Sequence, residues 1–251
     1  MLLEIASCTI LFTSASLTLP YVIPYFRNKL QQIKAVPNAV FDTACIHDIH
    51  QSHVDAIDRS IGQLLASIGQ IIITGWAILN ILGLHAYYSL DAFFIGYYIY
   101  DTIQLLTKPY GKTLRLFHVH HVLTVSLATY IHMLDMSLYY YMYFNIIYGL
   151  LEISGAAINI TNLLIHIYPS SKYIIPCSFM NLSIYFITRI VVFPILILYA
   201  AQDMYRTANN MYTFSLYLPI IGLGTMLFIA CTYWFIGMVA KHKALKQKLI
   251  L

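Results

Sequence analysis

Residues 174–201 read IIPCSFMNLSIYFITRIVVFPILILYAA, and the only charged side chain in the run is Arg189. At 1.5 Å of rise per residue a helix of this length extends about 42 Å, beyond the roughly 30 Å of hydrocarbon in a bilayer. The run is apolar on every side and does not alternate, which excludes the strand of a membrane barrel. A helix closes its backbone hydrogen bonds within itself, so it is the conformation that lipid permits for such a stretch.

Six further stretches read the same way: 2–25, 61–84, 87–106, 116–134, 138–165 and 214–239. The third is the least apolar, being interrupted by Asp91 and Asp101. Composition agrees, with 60% hydrophobic and 10% charged residues and a mean hydropathy of +0.72, where a soluble domain carries roughly 25% charge. The expectation is an all-α, polytopic membrane protein with seven transmembrane helices.

Lysine and arginine collect in cytoplasmic loops. Arg27, Lys29, Lys34 and Arg59 lie between spans one and two, Lys108, Lys112 and Arg115 between three and four, and Lys172 between five and six. Lys241, Lys243, Lys246 and Lys248 follow span seven. Seven spans place all of these on one side, with Arg206 alone opposite, so the amino terminus is expected lumenal or outside and the carboxyl terminus cytoplasmic. Segment 1–26 reads as a retained anchor, because it opens on Glu4 and because cleavage would leave the basic loop 27–60 on the wrong side. The topology accounts for the net charge of +4 without a nucleic-acid partner. Cys8, Cys45, Cys177 and Cys231 are scattered and are expected as free thiols. His47, His50 and His53 recur every three residues beside Asp48, but without convergent ligands they read as a solvated interfacial helix, and no metal or cofactor is expected.

Ionisable groups within spans are costly enough to mark candidate sites. From 1.5 Å of rise per residue, Asp101, His121 and Asn159 each lie roughly 8–9 Å inside the cytoplasmic ends of their spans, forming one layer with His118. On span four, His118, His121, Val125, Ala128 and His132 share a helical face, which is expected to point inward while His120 points away. Span five carries Asn145, Glu152, Asn159 and His166 every seven residues, with Gly149 and Ala156 alongside to admit another helix. Glu152 and Arg189 form a deeper layer, where they are expected to pair.

These residues resemble the TLC family, which includes the ceramide synthases, the translocating-chain-associated proteins and other TLC domain-containing proteins. The resemblance covers 61–239 and rests on Gly96, Tyr97 and Asp101, on His120, His121 and Thr124, on Leu151, Glu152, Ser154 and Asn159, and on Arg189 with Pro194. It implies that spans two to seven form a bundle around a cavity for acyl chains, with span one added to it. It also implies a domain at 61–239, flanked by the basic cytoplasmic loop 27–60 and the basic cytoplasmic tail 240–251, in the endoplasmic reticulum.

In ceramide synthases the paired histidines are associated with acyl transfer from acyl-CoA to a sphingoid base, a role that falls here on His120 and His121 with Asp101 as orienting partner. The synthase pattern also carries aspartates seven and four residues before the glutamate of its Leu-Glu pair. Here those places hold Asn145 and Tyr148, neither of which is anionic at neutral pH. The resemblance is accordingly closer to the non-synthase members. The leading expectation is a protein that binds acyl lipids or sphingolipids and influences membrane lipid composition, with His118, Asn145, Glu152, Asn159 and Arg189 as cavity-lining or structural polar groups. The alternatives are an N-acyltransferase taking acyl-CoA as substrate, and a trafficking or translocation partner whose protein contacts are unknown.

Overall fold

The structure, a computed structural model, describes residues 2–22, 53–83, 87–107, 114–133, 138–168, 171–208 and 211–250. Each predicted span is helical: α1 (Leu2–Val22), α2 (His53–Ile81), α3 (Tyr87–Thr107), α4 (Leu114–Met133), α5 (Leu138–Ile167), then α6 (Ile174–Tyr185), π1 (Phe186–Val192) and α7 (Phe193–Thr207) in one unbroken rod, and α8 (Met211–Ile250). The stretches Gly62–Ile81, Ile174–Arg206 and Ser215–Gln247 are long and apolar enough to cross a membrane, while Leu3–Ser16, Val119–Ile131 and Leu151–Ile165 are shorter apolar helices. The loop with Cys45, His47, Asp48 and His50 lies outside the described residues, and His53 opens α2. Among the described residues no group of three or more metal-ligating side chains converges, and Cys8, Cys177 and Cys231 are free thiols.

The helices close into a ring in which α2 meets α3, α3 meets α4, α4 meets α8, α8 meets the α6–π1–α7 rod, the rod meets α5, and α5 returns to α2. The first helix stands outside this ring against α3 and α2. Its Phe12 is the anchor, set edge-on to Tyr97 and stacked on Tyr100. Gly96 lets the two backbones meet, since a Cβ there would come within 2.8 Å of the Ile5 carbonyl. Along the α2–α5 seam, a Cβ on Gly149 would come within 2.8 Å of that of Ala77, and the Thr74 hydroxyl shares its proton between the Gln70 carbonyl of its own helix, 2.9 Å away, and the Gly149 carbonyl, 3.1 Å away. Gly149 therefore serves as the sequence suggests, with α2 as the partner.

The rod is irregular where it matters. Pro176 lies in its first turn, where a missing N–H breaks no helical bond. Pro194, in contrast, falls mid-rod at the start of α7 and has no N–H to give to the turn before it. The helix answers by widening: Phe193 N–H reaches back five residues to the Thr188 carbonyl, the bonding of a π turn. One residue is thereby inserted into the buried stripe, which runs Ile174, Ser178, Asn181, Tyr185 before the turn and Phe193, Ala200, Met204 after it. Both halves of the rod thus face the ring, with Arg189 at the transition.

The distribution of polarity is that of a membrane bundle. Phe179, Leu198, Ile229 and Ile236 are each more than 60% exposed, while Glu152, Ser154, Asn181 and Arg189 are buried. The last helix runs on as one piece past Val239, where the sequence suggests a tail, and ends at Ile250.

Candidate functional site

On α3, Tyr98, Asp101 and Thr102 stand one turn apart and face α4, which presents His121 to them. His121 Nε2 lies 3.4 Å from Asp101 Oδ2, and its Nδ1 lies 3.0 Å from Thr102 Oγ1. The proton positions follow from the donors. Thr102 gives its single hydroxyl proton to the Tyr98 carbonyl, 2.7 Å away, so its oxygen can only accept from His121. Nδ1 therefore carries a proton, and Nε2 faces the Asp101 carboxyl. The sequence-predicted partnership of His121 and Asp101 is present in space, and both ring nitrogens are engaged.

Tyr98 links this pair to the ring's centre. Its ring is edge-on to His121 at 5.0 Å between centroids, and its hydroxyl donates to Glu152 Oε1 at 2.5 Å. The other carboxylate oxygen, Oε2, is buried without a hydrogen-bond partner among the described residues. On the α2–α5 seam, Gln70 Oε1 accepts from Asn159 Nδ2 at 3.0 Å. Tyr98 thus connects the side of the ring that holds His121 and Asp101 to Glu152, while Asn159 bonds to Gln70.

Arg189 engages a single turn of α5. Nε donates to Ser154 Oγ and Nη2 to the Leu151 carbonyl, each at 2.6 Å, while Nη1 lies 3.7 Å from Cys231 Sγ on α8. Its guanidinium rests 5.2 Å over the Tyr185 ring. The expected pair with Glu152 is not made at ion-pair distance. Glu152 leaves α5 toward α2 and α3, whereas Leu151 and Ser154 turn toward π1, so the two charges act on each other only through space.

His120 corrects the expected facing of α4. It is buried, 5.0 Å edge-on from Trp234 of α8 and 5.8 Å from His121. The buried face of α4 runs through His120, His121, Thr124, Leu127, Ala128 and Ile131, rotated from the 118/121/125/128/132 face that polarity suggests. The reason is packing: α4 is wedged between α3 and α8, so the arc between those contacts is covered whatever its polarity. His120 Nδ1 and Thr124 Oγ1, one turn apart, are buried without a hydrogen-bond partner. The side chains of His118 and Asn145 lie outside the described residues.

Beyond Thr124 the same face of α4 becomes apolar. Leu127, about 10 Å from His120 along the helix, borders a small hollow with Phe193, Ile197 and Met204 of the rod and Ile220 and Gly224 of α8. Sequence reading missed Gln70, Thr102 and Trp234. Gln70 was detectable as an amide in the middle of an apolar run; Thr102 and Trp234 carry no signal beyond their neighbours.

A protein-family model, the TLC domain, matches residues 77–240. No curated protein and no solved structure matches the chain.

Proposed function

Because this chain belongs to the TLC domain family, we propose that it is a multi-pass membrane protein that binds acyl lipids or sphingolipids and thereby influences membrane lipid composition. One observation carries this reading: a single face of α4 passes from buried polar groups, His120, His121 and Thr124, to Leu127 at an apolar hollow. That is the polarity of an amphiphile, with a headgroup beside the histidines and a chain directed toward the hollow. Asp101, whose side chain is 28% exposed, is the way in for the headgroup. The hollow is smaller than an acyl chain, so binding requires the helices that line it to part. In the same reading the domain spans 61–239, seven helices cross the membrane with the amino terminus lumenal, 27–60 and 240–251 are cytoplasmic, and the membrane is that of the endoplasmic reticulum.

The second reading, an acyl-CoA-dependent sphingoid-base N-acyltransferase, draws on the 3.4 Å approach of His121 to Asp101, a base beside a carboxylate. It is less favoured because both nitrogens of His121 are engaged and because Asn145 and Tyr148 stand where the synthases carry aspartates. Lipidomics of cells producing the wild type, His121→Ala and Leu127→Trp, with an acyl-CoA and sphingoid-base assay on the purified proteins, separates the two. We expect both substitutions to alter bound and cellular lipid, with no ceramide formed by any of the three. Ceramide formed by the wild type and lost in His121→Ala replaces the first reading by the second. Lipid profiles identical in all three proteins rule out both.

A further inference from the structure

Where α5 closes, α6 opens and α8 ends, the charge is one-sided, while the carboxylates of the same end, Asp55 and Asp58, belong to the start of α2. After Glu152 the sequence contains a single acidic residue, Asp203, against Lys172, Arg189, Arg206, Lys241, Lys243, Lys246 and Lys248. Asp203 belongs to the far end of the rod, about 45 Å from Ile174 along the helix. The segments that meet at the near end, the close of α5, the start of α6 and the extension of α8, therefore bring lysines and no carboxylate.

This extension is docked. Leu245 is 4% exposed and forms a small apolar cluster with Ile165 of α5 and Ile174 of α6. His242 Nδ1 lies 2.9 Å from Ser178 Oγ, a polar contact between α8 and α6 beside that cluster. These two contacts fix the rotation of the helix, and Lys243, opposite Leu245, and Lys246, on its flank, are exposed. Lys172, on the turn into α6, is also exposed, and its ammonium sits 5.3 Å over the Tyr173 ring. Tyr173 and Tyr168 are 59% and 49% exposed at this same end. Exposed tyrosines flanking apolar helices mark the headgroup level of a bilayer, where the ring is half in lipid and the hydroxyl in water.

We propose that Lys172, Lys243 and Lys246, held at headgroup depth by the docked end of α8, form a binding surface for acidic phospholipid headgroups. The occupant is chosen by charge complementarity and by depth: three ammonium groups with no carboxylate in the segments that carry them, level with an aromatic belt, meet phosphate and serine headgroups before they meet any soluble anion. Clustered lysines beside a membrane attract anionic lipid by about fivefold each at physiological salt, and the effect is screened within a Debye length. The surface is separate from the site inside the ring, so its test does not depend on what that site binds.

The test uses the full-length protein in detergent, equilibrated with equal amounts of phosphatidylserine and phosphatidylcholine, with retained lipid counted by native mass spectrometry. Wild type is expected to retain phosphatidylserine preferentially. The triple variant Lys172→Gln, Lys243→Gln, Lys246→Gln should lose at least about tenfold of that preference, and the triple Lys→Arg variant should keep it. Raising the salt to about 0.5 M should suppress the preference of the wild type itself. Equal retention by the Gln variant and the wild type, an absence of preference in the wild type, or a preference indifferent to salt each overturns the proposal. The salt series on unaltered protein decides the matter even if the Gln variant folds poorly.

Discussion

Arg189 is the residue on which the centre of the ring depends, and the reason lies in the shape of its head. Three nitrogens of one planar group reach Ser154, the Leu151 carbonyl and Cys231, tying π1 to two other helices at once. A lysine keeps the charge that faces Glu152 but has a single ammonium and no fork. Arg189→Lys is therefore expected to lose about 1–3 kcal/mol of stability, close to the loss in Arg189→Met, measured as the unfolding midpoint in detergent. Wild-type stability in Arg189→Lys would mean that charge alone matters and that the hydrogen bonds to α5 are incidental. At this scale sequence reading was most successful where chemistry is scarce. Asp101, His121, Glu152 and Arg189 stand out because any charge in an apolar span needs a partner, and each has one. Their partners were less legible: Thr102 accepts from His121 because its own proton is committed to Tyr98, and no pattern of spacing announces such a commitment.

Between helices the decisive quantity is closeness of approach. Gly149 permits α2 to lie against α5 so that Thr74 bonds to its carbonyl, and an added methyl would meet the Ala77 Cβ at 2.8 Å. Gly149→Ala should thus push the two helices apart and cost about 1–3 kcal/mol. Ala77→Gly in the same chain should restore most of the loss, because it removes the opposing methyl. The measurement is a double-mutant cycle on unfolding in detergent, and additive effects of the two substitutions would show that the contact is not the cause. Helix existence was plain in the sequence because lipid leaves no other conformation for runs of this polarity. Helix rotation was not. In water, polar residues identify the outer face, but here both faces of α4 are largely apolar and packing between α3 and α8 chooses the buried arc. The π turn was equally hidden, since Pro194 tells where a helical bond is missing but not whether the rod kinks, breaks or widens in response.

For the whole molecule the controlling fact is that polarity is reversed relative to a soluble bundle, with Phe179, Leu198, Ile229 and Ile236 outside and hydrogen-bonded carboxylate, guanidinium, amide and hydroxyl groups inside. A ring built this way is stable only where its outer surface is lipid, which is why low charge and mean hydropathy sufficed to recognise the class of fold. Orientation rests on different physics, the asymmetry of lysine and arginine across the membrane. If α6, π1 and α7 cross as one rod, residues 172 and 206 lie on opposite sides, and since α8 crosses back, residue 243 shares the side of 172. Single cysteines introduced as Lys172→Cys, Arg206→Cys and Lys243→Cys in a chain with its native cysteines replaced by serine test this with a membrane-impermeant thiol reagent. On sealed vesicles with the cytoplasmic face outward, positions 172 and 243 should label at once and position 206 only after permeabilisation. Labelling of 206 together with 172 would show that the rod re-enters on its own side, and the crossing of α6–π1–α7 would have to be abandoned. Labelling of 206 alone would keep every crossing and invert the molecule, against the charge asymmetry from which its orientation is argued.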